Sequence, residues 1–312
     1  MLEKIVLGHG SGGRLSHDLV DRVFVRAFDN PILRQLDDKA AITLGNTSLA
    51  FTTDSFVVKP LFFPGGNIGK LAVCGTVNDL AMGGACPLYL SAGFIIEEGF
   101  PVEQLEQIAA SMRKAGDEAG IQIVTGDTKV VEKGSCDGLF INTSGVGLIP
   151  EGINISGSRA RPGDKILVNG SLGDHGIAVM AERHGLSFRR GLVSDCAPLN
   201  GLVGKMLEFS KEVRVLRDPT RGGLATTLNE IAAQSGVGMR LEEEHIPVKD
   251  QVLGVCDLLG LDPLYVANEG KLLAIVPGEI AEPMVRVMQQ HPYGREACSI
   301  GEVLPDQAGK VF

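Results

Sequence analysis

PEGINISGSRARPG, residues 150–163, is turn-rich and carries neither a helical nor a strand period, which makes it the best domain boundary in the chain. On either side of it the text returns to short apolar runs and amphipathic helical patterns. The boundary divides the 312 residues into 1–152 and 153–312, and a chain of this length is expected to hold two domains. A hydrophobic content of 44% is enough to fill two cores.

Upstream of the boundary, strand-like runs fall at 40–44, 48–53, 88–96, 121–125 and 139–147, and IVL at 5–7 reads as a further short strand. Leu15, Leu19, Val23, Phe24, Ala27 and Phe28 recur at helical spacing, and helical patterns also cover 67–82 and 102–119. Downstream, DKILVNG is a strand leading through GSLGDHG into a helix. Helical patterns follow at 198–209, 223–234, 248–260 and 279–290, with strands near 237–241, 271–276 and 298–303. Both kinds of element alternate in both halves. The class is α+β or α/β, and mixed sheets fit better than a regular parallel wind.

Composition excludes several functions. The net charge is −9, with no basic run and no aromatic-basic interleaving, which disfavours nucleic acid and anionic membrane surfaces as partners. The longest uncharged stretch, Leu80 to Ile96, is interrupted by Gly83, Gly84, Pro87 and Gly93 and does not read as a membrane helix. MLEKIVLGHG has too short an apolar core for a signal peptide. The six cysteines (Cys74, Cys86, Cys136, Cys196, Cys256, Cys298) form no CxxC pair, so a reducing cytoplasm and no zinc site are expected.

Four aspartates accompany the strands of the first half. Asp38 precedes AITL, Asp54 closes LAFTTD, Asp79 follows LAVCGTVN, and Asp127 closes IQIVTGD. Carboxylates gathered at one sheet edge repel one another unless a cation lies between them, and hard oxygen ligands select Mg²⁺, usually with nucleotide phosphates. The bland reading is that each is a turn former. Gly8 to Gly13 contains a G-x-G-x-x-G, but the polar NPILRQLDDKA follows where a dinucleotide fold needs a buried strand. What remains is a glycine loop at a helix start, able to take phosphate on its N–H groups. PGGNIGKL at 64–71 imitates a Walker loop without its first glycine or its hydroxyl, and reads instead as the start of the helix carrying Asn78 and Asp79.

Three further segments carry chemistry. In VTGDTKV, Gly126 suits a sharp turn, Asp127 a metal, and Lys129 a phosphate charge. In RDPTRGG, Arg221 before two glycines suits bidentate phosphate contact, while Asp218 or Thr220 reads equally as a helix cap. Glu269 in NEGK points to a cleft or a turn. His17, His184, His245 and His291 show no ligand spacing and take no role; His175, in GDHG, stands only slightly above them.

HGSGG, TTDS, PLFFPGGNIGKL, GTVNDLAMGGA, VTGDTKVV, LFINTSG, GSLGDHG, DPTRGG and ANEGK together resemble the HypE family of hydrogenase maturation factors over nearly the whole chain. That family belongs to an ATP-dependent superfamily with aminoimidazole ribonucleotide synthetase, selenophosphate synthetase and thiamine-monophosphate kinase. The resemblance implies a two-domain α+β architecture with mixed sheets. Residues 1–152 would bind ATP and Mg²⁺ and pair with a second copy in a homodimer, and residues 153–312 would form the second α/β domain. It implies a carbamoyl dehydratase: the carbamoyltransferase HypF loads a C-terminal cysteine, ATP drives its dehydration to thiocyanate, and cyanide passes to iron on a HypC–HypD complex. Metal ligands are expected at Asp38, Asp54, Asp79 and Asp127. Nucleotide contacts are expected at Gly10, Ser11, Gly12, Gly13, Asn78, Thr128, Arg221, Gly222 and Gly223. Lys129 would stabilise the transferring phosphoryl group and Glu269 would act as general base.

One departure bears on the substrate. The family's chains continue beyond Phe312 and end in Pro-Arg-Ile-Cys, so a mobile tail carrying the thiol is expected to follow the last residue of this sequence. A superfamily kinase or synthetase acting on a free small molecule, and a nucleotide-bound scaffold without turnover, are the competing expectations.

Overall fold

The structure is a computed structural model and describes residues 4–185 and 191–312. The first half contains α1 (Gly13–Leu19), α2 (Arg26–Phe28), β1 (Ala40–Leu44), β2 (Thr47–Phe56), β3 (Phe62–Phe63) and β4 (Gly66–Asn67). It continues with α3 (Ile68–Met82), β5 (Cys86–Glu97), α4 (Val102–Ala119), β6 (Gln122–Val131) and β7 (Leu139–Ile149). The second half begins with β8 (Lys165–Val168), α5 (Asp174–Arg183), α6 (Asn200–Phe209), β9 (Val215–Arg217) and α7 (Gly223–Ser235). It ends with β10 (Gly238–Leu241), α8 (Asp250–Leu259), β11 (Leu273–Val276), α9 (Gly278–Gln289) and β12 (Cys298–Leu304).

Two five-stranded sheets organise these elements. The first has the order β1-β2-β7-β5-β6 and is mixed, because β6 runs parallel to β5 while the other neighbours are antiparallel. The second, β10-β12-β8-β11-β9, is antiparallel throughout. In β11 Leu273 and Ile275 pack toward α7, and Ala274 and Val276 toward α6 and α9. A strand covered on both faces needs an unbroken apolar run, and LAIV is one.

Helix α3 fixes how the halves meet. It is apolar around its circumference, and a helix of that kind must be buried on every side. One side lies on the first sheet, another on α4, and its end, Ala81 and Met82, packs against Leu199, Leu202 and Met206 of the second half. Its start is set by Asn67, whose side-chain oxygen accepts from the N–H groups of Gly69 at 2.9 Å and Lys70 at 3.1 Å. PGGNIGKL is thus a helix entry, as its missing P-loop residues predict. Asn67→Ala is expected to lower stability by about 1 kcal/mol. Chemical denaturation checks this.

Two expectations are corrected. IVL at 5–7 forms no strand: Leu7–Gly10 is a 3₁₀ turn, and Ile5, Val6 and Leu7 are exposed and pair with no strand among the described residues. Strand β6 does not stop before Asp127. Its parallel pairing with β5 continues to Val131, which puts Asp127 in mid-strand opposite Gly93. Gly126 makes no sharp turn; a Cβ there would lie 2.2 Å from the Ala92 carbonyl oxygen, so the glycine lets the two strands approach.

Candidate active site

Strand β2 alternates with period 2. Ala50, Thr52 and Phe56 are buried on the side facing α3, while Phe51 is exposed on the other. Asp54 shares the parity of the buried set and so points toward α3, where Gly75 leaves room. A Cβ on Gly75 would meet the Phe56 ring at 2.8 Å, with Asp54 Oδ2 at 3.9 Å. One turn further along the helix stands Asp79, so sheet and helix aim carboxylates into one space.

That space is a cavity of about 540 Å³ lined by Asp38, Asp54, Asp79, Asp218, Arg221 and Glu269, together with Gly10, Thr52, Thr220 and His175. Asp38 is held by the Arg217 Nε at 3.1 Å, and Arg217 reaches Glu230 at the same distance. Arg221 lies 3.7 Å from Asp54 and keeps 65% of its side-chain surface exposed, so its guanidinium is free to meet a second anion.

The acids raise one another's pKa. Burial first, then Asp218, Asp38 and Asp54, hold Asp79 well above the usual carboxylate range. Burial, and then the charge of Asp38, push Asp218 up to about 7. Burial also raises Asp38, despite Arg217, and Asp54, despite Arg221. Glu269 is raised well above its ordinary value by burial and by Cys196, Asp218 and Asp195. Thr52 Oγ1 lies 2.9 Å from the Asp38 carbonyl oxygen and 3.0 Å from Asp79 Oδ2. A single hydroxyl proton cannot serve both acceptors, but a protonated Asp79 donating to Thr52 satisfies both contacts.

Oxygen-only, anionic side chains are the type that hard divalent cations take as ligands. Among the described residues no three of them lie close enough together to hold a metal ion by themselves.

A pH dependence follows. The folded protein holds a proton on Asp218 up to about pH 7, which the unfolded chain releases above about pH 4. The folded state therefore binds more protons in that window, and this contribution to stability is lost as pH rises through it. Without divalent cations, the melting temperature is expected to fall from about pH 5 to about pH 8 more steeply in wild type than in Asp218→Asn. Thermal denaturation across that range, with parallel slopes as the contrary result, checks it.

Several expected site residues are placed elsewhere. Asp127, Thr128 and Lys129 lie on β6 outside the cavity, and Asp127 pairs with Lys129 at 2.7 Å, both side chains exposed. The lysine's hydrogen bond lowers the Asp127 pKa, the opposite of the buried acids. The four aspartates thus do not converge within one chain; three do, and Asp218 joins them. Asn78 is 1% exposed and turned to structural use. Its amide donates to the carbonyls of Ala197 and Glu269, and its oxygen accepts from the Leu199 N–H. It ties α3 to the second half and does not line the cavity.

Within the glycine loop only Gly10 lines the cavity, whereas Gly12 and Gly13 line the neighbouring cleft with Arg217 and Arg221. A Cβ on Gly12 would sit 3.0 Å from the Arg221 carbonyl oxygen, so the loop rests on the RGG turn. The Ser11 hydroxyl donates to the Leu7 carbonyl and turns away. Gly222 and Gly223 have positive φ, and a Cβ on Gly223 would lie 2.5 Å from the Leu264 carbonyl. Close packing accounts for both, with neither in the cavity lining. Neither Asp218 nor Thr220 caps α7; that position is Gly222, without a side-chain bond. Sequence reasoning missed Asp218 and His175 as cavity residues. The Asp-Pro pair was the available signal for the first, because proline stops Asp218 from entering the helix.

Two family models match the chain: "AIR synthase related protein, N-terminal domain" over residues 36–149 and "AIR synthase related protein, C-terminal domain" over residues 161–312. The fold is therefore that of an AIR synthase related protein. Carbamoyl dehydratase HypE of Azotobacter vinelandii is 56% identical to this chain, covering 96% of it and 88% of the relative. The structure of a HypE–HypF complex superposes with a TM-score of 0.89 at 53% identity, covering 94% of each chain. HypE in complex with ATP gives 0.83 at 52% identity, covering 99% of this chain and 93% of the other. The chain belongs to the HypE family of carbamoyl dehydratases, which are enzymes. Among the described residues no helix is long and apolar enough to cross a membrane.

Proposed function

We propose that this enzyme uses ATP to dehydrate a carbamoylated cysteine thiol at the end of its own C-terminal tail, giving the thiocyanate that furnishes cyanide to iron during [NiFe] hydrogenase maturation. The observation that carries this reading is the cavity itself. Buried Asp218, half-buried Asp38, Asp54 and Asp79, and Glu269 line it with Arg221, in a chain similar over nearly its full length to carbamoyl dehydratases.

In this reading Asp38, Asp54 and Asp79, with Asp218 beside them, would hold Mg²⁺, which would supply charge neutralisation for the phosphates of ATP. Arg221 meets the phosphates from the rim, and Gly10 closes against them through its backbone. The amide oxygen is a poor leaving group until phosphorylated, so ATP is the reagent the reaction requires. Glu269 takes an amide N–H proton; its raised pKa makes it a stronger base than a solvated glutamate once it is ionised.

Lys129 and Asp127 belong to the centre by way of a second chain. The outer face of the first sheet carries exposed Phe51, Tyr89, Ile95 and Val124, an apolar surface that suits a homodimer. Pairing across it brings Asp127, Thr128 and Lys129 of one copy toward the cavity of the other. Residues 1–152 then supply nucleotide binding and dimerisation, and 153–312 the remaining wall. The protein works in the cytoplasm with HypF, which loads the thiol, and with a HypC–HypD complex, which receives the product.

Mass spectrometry of the full-length protein after incubation with HypF, carbamoyl phosphate and ATP tests the reading. Loss of one water from a tail-bound carbamoyl group, dependent on ATP, is expected. A carbamoylated tail that persists unchanged while ATP is present would contradict it.

A further inference from the structure

His175, the second residue of α5, is 6% exposed and belongs to the cavity lining. Its ring stands edge-on to Phe63, with centroids 5.4 Å apart and planes at 90°, so its orientation is fixed by packing. The Nδ1 lies 2.8 Å from Ser194 Oγ. Ser194 is itself anchored, its N–H donating to the Pro64 carbonyl at 2.9 Å and its Oγ accepting from the Cys196 N–H at 3.1 Å.

The direction of this bond follows the tautomer: with Ser194 Oγ accepting from the Cys196 N–H and donating its own proton to His175 Nδ1, every polar atom of the pair is used and the ring proton resides on Nε2. Nε2 has no protein partner among the described residues, and it lies on the ring edge away from Ser194. Burial pushes the imidazole pKa down to about 4, so the ring stays neutral at physiological pH. In a cavity that gathers five carboxyl groups, a neutral N–H donor offers a hydrogen bond without adding a charge for those acids to capture.

We propose that His175 is a catalytic residue whose Nε2–H hydrogen-bonds the oxygen of the carbamoyl group. This rests on the dehydratase reading above. The amide oxygen forms its bond to the γ-phosphorus as the bond to the bridging oxygen breaks and ADP leaves with the electron pair. Glu269 takes one N–H proton. The C–O bond then breaks, phosphate departs with the electron pair and the second N–H proton, and the nitrile remains. His175 transfers no proton; it places the oxygen for attack and holds it as charge gathers there on leaving, as an oxyanion donor does.

The test compares single-turnover dehydration of carbamoylated full-length wild type, His175→Phe and His175→Gln, with ATP affinity measured alongside. His175→Phe keeps the ring packing and is expected to slow dehydration about 10²-fold or more with ATP affinity within about threefold, and His175→Gln, which can donate, to recover part of the rate. A Phe variant within about threefold of wild type overturns the proposal, as does equal loss of rate and ATP affinity in both variants. Nitrogen-15 NMR of histidine-labelled wild type needs no variant: an Nε2–H tautomer at neutral pH supports the role and an Nδ1–H tautomer overturns it. If wild type itself forms no nitrile, the dehydratase reading fails and takes this role with it.

Discussion

Asp79→Asn will reduce ATP-dependent dehydration by about 10³-fold or more and, without divalent cations, will make the protein more stable. Both effects have one cause. The pKa of Asp79 is raised by burial and by Asp218, Asp38 and Asp54, so its ionised form is disfavoured there, and a cation would offset that penalty. Asparagine preserves shape, and its amide can donate to Thr52 Oγ1, which lies 3.0 Å from the native carboxylate. Removing the charge relieves the neighbours, with an expected gain of about 1 kcal/mol, or roughly 2–4 °C, above neutral pH. Mg²⁺ is expected to raise the melting temperature of the wild type and to leave that of Asp79→Asn unchanged. Thermal melts with and without Mg²⁺, beside the mass-spectrometric assay, check both halves. A variant that stays active, or is destabilised without metal, would show that the cluster is not a cation site.

Lys129→Ala will slow dehydration by about 10²–10³-fold and leave the stability of the isolated chain nearly unchanged. The second half of that statement is secure because Lys129 is 68% exposed and its bond to Asp127 is a surface pair worth little. The first half depends on an arrangement absent from a single chain, in which the lysine acts in the cavity of a partner. Loss of activity by an exposed strand residue outside the cavity is hard to explain otherwise. Full activity in Lys129→Ala, measured with ATP near saturation, would remove Lys129 from the mechanism.

Much of the fold was legible because local pattern and tertiary burial agree. TSLAFTTDSF alternates and is half-buried in the order its alternation predicts, and LAIV is apolar throughout and covered on both faces. Asp38, Asp54 and Asp79 could be grouped because each adjoins an element that the sequence marks clearly. Asp127 could not be placed. Where β6 ends depends on its parallel pairing with β5 through Glu97 and Val131, and no residue near 126 announces that the strand continues. Asn78 and Asp79 are adjacent in one motif, yet a helix rotates neighbours by about 100°, so one faces the cavity and the other the seam with the second half. Asp218 was read as a cap because the cavity that buries it is built from distant segments. His175 was passed over because its meaning lies in Ser194, which sequence cannot bring to it.

The central claim is that the acidic cavity of one chain and Lys129 of another make one active centre. It is tested most directly by mixing Asp79→Asn and Lys129→Ala subunits, each inactive alone, after exchange to random dimers. In a mixed dimer one cavity has both defects and the other has neither. With half the dimers mixed, and one of two centres intact in each, about a quarter of wild-type dehydration is predicted to return. If the mixture stays as inactive as its parents although mixed dimers are shown to form, Lys129 does not act across the interface and the shared centre is wrong.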